Sequence, residues 1–131
     1  MKVFVYFNLH KKLWSIKALE GPDKGRVIDR CRYVKLKEVQ PKVSQKGRER
    51  VLREKRKNVH AGLVGTWIVQ PIAWEYWDSL LPYRQVSYNP YKHEYFYFCN
   101  ENDAQYTGSD YAELEVTSEK PFVWIKNRSK K

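Results

Sequence analysis

The sequence predicts a mainly β fold of the α+β kind. The expected form is a small curved sheet or partly open barrel of about seven or eight strands, with one basic helix at about residues 44–58. Three observations carry the prediction. The chain of 131 residues is the size of one domain, and its aromatic content of 15% suits strands better than helices. Short β-rich segments recur between clusters of Gly, Pro, Asn and Asp. Only one segment has both a helix cap and a helical charge pattern.

The elements follow in order. Lys2 to Asn8 is β-branched and aromatic at alternate and adjacent positions, which predicts a strand buried on both sides. Leu13 to Leu19 alternates, with Trp14, Ile16 and Ala18 on one face and Ser15 and Lys17 on the other, so the two segments form a hairpin. The Gly, Pro and Asp of Glu20 to Gly25 turn the chain into a third strand from Arg26. In Tyr33 to Val39, Val34 and Leu36 oppose Lys35 and Lys37, and Val39 then falls out of phase. That break predicts a bulge near Glu38, and Pro41 ends the pairing or marks an edge. Ser44 is a good N-cap for the helix, Glu49 stands four residues before Arg53, and Asn58 is its expected stop. The glycines in His60 to Val69 imply a strand approached closely by another backbone. Pro71 to Pro82 is an aromatic connection, with a short helical turn as its alternative form. Arg84 to Tyr88, Tyr95 to Cys99, Tyr111 to Val116 and Phe122 to Lys126 are further strands. Residues 1–126 form a single domain, and 127–131 a frayed basic tail.

Charge divides the chain. Residues 1–66 hold 18 Lys and Arg against 6 Asp and Glu, whereas residues 67–131 hold 7 against 9. A basic half beside a neutral, aromatic half implies two different surfaces and argues against a DNA mimic, which needs the opposite sign. No apolar run approaches the roughly 18–20 residues of a membrane span, and the N-terminus lacks the pattern of a signal peptide. A cytoplasmic protein with no membrane partner is expected. Cys31 and Cys99 belong to no paired motif and read as buried free thiols. No cofactor and no metal are expected.

The helix is the strongest functional signal. Seven cations and two acids fall in residues 44–58, and Arg50, Arg53 and Lys57 share one stripe. A stripe of that kind can follow a phosphate backbone, while a solvated helix face is the plain alternative. The candidate nucleic-acid-binding residues are Lys35, Lys37, Lys42, Lys46, Arg48, Arg50, Arg53, Lys55, Arg56 and Lys57. Aromatics crowd the segment from Ile72 to Phe98, and Tyr88, Tyr91, Tyr95 and Tyr97 are candidates for base stacking or for binding a partner. Core packing is the competing reading of the same residues. No catalytic motif occurs, although His60 with Glu54 and Arg48 could form a metal-free phosphodiesterase site.

The block Lys46-Gly47-Arg48-Glu49-Arg50-Val51-Leu52-Arg53-Glu54-Lys55-Arg56-Lys57-Asn58-Val59-His60-Ala61-Gly62 resembles one in small uncharacterised proteins of tailed bacteriophages. Val5 to Lys12 and Tyr88-Asn89-Pro90-Tyr91 are similar in kind. The resemblance implies an origin in a phage or prophage and no particular activity. The first expectation is therefore a phage-type protein that binds DNA or RNA, mainly through backbone contacts, in the bacterial host cell. The second is an adaptor or inhibitor that binds a host or phage protein through the aromatic half, with a homodimer as a related form. A metal-free nuclease is the third. The clean division of charge places the basic and aromatic surfaces on separate faces.

Overall fold

A computed structural model describes residues 1–56, 59–69 and 84–126. Lys57, the expected stop at Asn58, the aromatic connection from Pro71 to Pro82 and the basic tail lie outside the described residues. The strands are β1 (Lys2–Asn8), β2 (Leu13–Ala18), β3 (Val27–Cys31), β4 (Tyr33–Val43), β5 (Ala61–Trp67), β6 (Arg84–Ser87), β7 (Tyr97–Phe98), β8 (Ser109–Thr117) and β9 (Lys120–Lys126). The helix α1 (Gln45–Glu54) joins β4 to β5. All nine strands belong to one antiparallel sheet in the order β3-β2-β1-β5-β4-β8-β9-β6-β7.

Among the described residues the sheet is curved and carries one helix, as the strand and cap signals predict, but it does not close into a barrel. Its edges, β3 and β7, each have a single strand neighbour among the described residues. Curvature brings β2 to β8, four places apart in the order, so that the Trp14 indole N–H donates to the Glu115 carbonyl at 3.0 Å. One face is the core: Val3, Val5, Ile16, Leu36, Val39, Leu63, Leu114 and Ile125 are buried on it. On β1 only Val3 and Val5 are fully buried, while Phe4 and Tyr6 on the opposite face are half-buried. The strand is thus less enclosed than its composition predicts.

The break at Val39 is a bulge. Glu38 adopts φ 55°, and the β4–β5 register shifts between Lys37 and Gln40. The extra residue returns Val39 to the core face, where it is fully buried. Pro41 does not end the strand. It pairs with Leu63, and β4 continues to Val43 because the β8 ladder stops at Val39, leaving β4 a neighbour on the β5 side alone. A missing N–H there breaks no ladder bond to β8.

Candidate functional site

The basic helix starts where its cap predicts. Ser44 is extended, and its Oγ accepts the Gly47 N–H at 3.2 Å. The helix ends earlier than expected, because Lys55 is left-handed with φ 57° and stops propagation after Glu54. Only Val51 is buried on α1, so the helix leaves most of its surface to solvent. Lys46, Arg50, Arg53, Lys55 and Arg56 are exposed, as are Lys37 and Lys42 on β4. Arg53 pairs with its neighbour Glu54 at 3.9 Å rather than with Glu49.

Two predicted cations behave differently. Lys35 is half-buried, stands opposite Glu113 in the β4–β8 register and lies 5.5 Å from the centre of the Tyr33 ring. Glu113 itself is buried and accepts from the Tyr33 hydroxyl. Lys35 thus sits within a polar cluster of the sheet. Arg48 is half-buried, and its Nε is buried with no acceptor among the described residues.

The register adds cations that are absent from the predicted set. Lys2 lies beside Thr66, which lies beside Lys37, and Lys17 pairs with Phe4. Arg30 pairs with Ser15, which pairs with Tyr6. Lys2, Lys17, Arg30, Lys37 and the half-buried rings of Phe4 and Tyr6 therefore share the sheet face opposite the core. The two rings lie 5.9 Å apart. Period-2 alternation within β1, β2 and β4 carries the signal for this face; the pairing order that assembles it does not appear in the sequence.

The four tyrosines separate. Tyr88 reaches His60, its hydroxyl 2.9 Å from Nε2, and packs against Phe96 with ring centres 5.0 Å apart. Burial pushes the Tyr88 phenol above its ordinary pKa, while the neighbouring Arg48 guanidinium acts in the opposite direction. Tyr91 is exposed, its N–H held by Asn89 Oδ1 at the Asn-Pro-Tyr turn. Tyr95 stacks on His93, with ring centres 5.0 Å apart, and Tyr97 is buried beneath the Lys92 ammonium. Tyr88 thus brings the aromatic half to the basic helix, so the two halves do not occupy wholly separate faces.

These contacts border a cavity of about 540 Å³ at one end of the core. Phe7, Trp14, His60, Tyr88, Tyr91 and Phe96 are among its walls, with Val51 from α1, and no carboxylate lines it among the described residues. Of the three residues considered for a phosphodiesterase, Arg48 and His60 meet at the Tyr88 hydroxyl. Glu54 is exposed beside Arg53. Cys31 and Cys99 are free and half-buried, and burial raises the pKa of both thiols. No helix among the described residues is long and apolar enough to cross a membrane.

No solved structure matches the chain. The Gene 82 protein of Mycobacterium phage L5 is 42% identical over 120 residues, covering 84% of this chain and 86% of that protein. The family model described as Mycobacterium phage L5 gene 82 protein matches residues 1–120, and the chain belongs to that phage protein family.

Proposed function

We propose that this phage protein binds nucleic acid through its phosphate backbone, acting in the cytoplasm of the infected bacterium. The supporting observation is the run of exposed cations from β4 into α1. Lys37, Lys42, Lys46, Arg50, Arg53, Lys55 and Arg56 are exposed along this stretch, and only Arg53 has a carboxylate within 4 Å among the described residues. Uncompensated cations attract polyanions and release counterions when they meet phosphates. Fluorescence anisotropy with labelled single-stranded DNA, single-stranded RNA and duplex DNA tests the reading. Affinity should fall steeply with salt, by about 0.9 log units per log unit of salt for each phosphate contacted on duplex DNA. The Lys42→Glu/Arg50→Glu/Arg53→Glu variant should lose orders of magnitude in affinity while remaining folded. A flat salt response and unchanged binding by the variant would reject it.

A second reading, an adaptor that binds a host or phage protein, draws support from the mouth of the cavity. Leu9, Val59 and Tyr91 line it and are 41%, 46% and 54% exposed. Apolar groups gathered at one opening suit a protein contact. Solution mass measured with and without Tyr91→Ser distinguishes a homodimer built on this patch from a monomer.

A further inference from the structure

The cavity has a composition of its own. Its walls combine aromatic rings with aliphatic side chains, it contains no carboxylate among the described residues, and its volume of about 540 Å³ lies in the range of small-molecule sites. At one wall the Tyr88 hydroxyl meets His60 Nε2 at 2.9 Å, with Arg48 beside it. Arg48 does not line the cavity itself but stands against Tyr88, which does, and its Nε is buried with no acceptor among the described residues. A buried N–H donor without a partner is costly, and an anionic oxygen is the acceptor that best satisfies a guanidinium. Ring walls take a flat π-system, and the Arg48 side takes negative charge.

We propose that the cavity holds one unstacked nucleotide, its base among the aromatic walls and its phosphate at the wall formed by the Tyr88 hydroxyl and His60, within the field of the adjoining Arg48. The ligand class rests on the nucleic-acid reading above. A base within a duplex cannot leave its stack without losing its pairing, so the occupant is a nucleotide of a single strand or a free mononucleotide. Tyr91, exposed at the mouth, is placed to cover the base once it has entered. Burial holds the Tyr88 hydroxyl protonated, so it remains a neutral hydrogen-bonding group beside the phosphate.

Trp14 in the wall provides a reporter. Titration of the full chain with AMP, UMP, uridine and inorganic phosphate should be followed by tryptophan fluorescence and calorimetry. AMP and UMP should bind more tightly than uridine or phosphate alone. Arg48→Gln should weaken AMP about tenfold or more while leaving uridine unchanged. Tyr91→Ser, a change at an exposed position that the fold tolerates, should weaken AMP and uridine alike, by about fivefold or more. Failure of AMP to bind at millimolar concentration, or wild-type AMP affinity in both variants, overturns the proposal. Oligonucleotides bound with a steep salt response but no AMP bound would leave the backbone reading standing and remove the nucleotide site. AMP bound without oligonucleotide would do the reverse. Preference for a single-stranded oligonucleotide that competes with AMP identifies the chain nucleotide as the source; absence of competition identifies the free mononucleotide.

Discussion

A Cβ placed on Gly47 would stand 2.7 Å from the Cβ of His60. The first turn of α1 therefore packs directly on the residue that enters β5, and the Ser44 N–H donates to the His60 carbonyl at 2.7 Å. Together these contacts hold His60 where its ring meets Tyr88. Gly47→Ala should be destabilising. Replacing Gly with Ala within a helix usually gains roughly 0.5–1 kcal/mol, whereas overpacking costs about 1–3 kcal/mol. Neither Cβ has a rotamer through which to escape, so the clash prevails. Urea denaturation should show a net loss of about 1–2 kcal/mol; a gain would mean that α1 can shift away from His60 freely.

The Trp14–Glu115 hydrogen bond closes the concave side of the sheet, so Trp14→Phe should loosen β2 from β8. The indole is 5% exposed, and the variant loses both a donor and volume. A stability loss of about 1–3 kcal/mol is expected. Hydrogen exchange in β2 should rise more than in β9. Equal rises in both strands would indicate that the curvature does not depend on this hydrogen bond.

Acid should act through the loop between β6 and β8. Arg84 holds Glu101 in a two-point contact, and His93 with Lys92 holds Asp103. The first pair lowers the Glu101 pKa from 4.5, and the second lowers that of Asp103 from 3.8. A carboxyl whose folded pKa is depressed contributes its stability above the unfolded value and loses it as pH falls through the folded value. The loss therefore begins near those ordinary values and continues below them. In Glu101→Gln/Asp103→Asn the stability–pH slope in that acidic window should be shallower, and added salt should shrink the difference because the pairs remain in contact with solvent. An unchanged slope would assign acid sensitivity to other groups.

The outer sheet face makes a separate prediction for binding. Lys2, Lys17, Arg30 and Lys37 share it with Phe4 and Tyr6. If single strands also track across this face, Lys2→Glu/Lys17→Glu/Arg30→Glu should reduce the salt slope for single-stranded oligonucleotides by up to about 0.7 for each phosphate no longer neutralised. Anisotropy against ionic strength measures it. A slope equal to that of the wild type confines binding to α1 and its approach.

Much of the local structure was legible in the sequence. The out-of-phase Val39 marked the bulge, Ser44 marked the helix start, and most strand segments lie near their alternating or aromatic runs. The early stop at Lys55 was not legible. A left-handed non-glycine residue there depends on how the chain turns back towards β5, which propensity alone does not report. Of the candidate residues, the exposed cations of α1 follow from a helix with one thin apolar stripe. Lys35 and Arg48 depart from the pattern, because their surroundings come from β8 and Tyr88, far along the chain.

The sequence by itself determined the fold class, the basic helix, the phage family and the concentration of positive charge in the first half. Those properties are carried by neighbouring residues: alternation, caps, turn chemistry and composition. Tertiary structure alone decided that β1 would pair with β5 and β4 with β8, and so which lysines share a face. It also decided that Arg48, His60 and Tyr88 would meet beside a ring-lined cavity. Strand order depends on which apolar faces can be buried together over long separations, and no local run of residues encodes that choice.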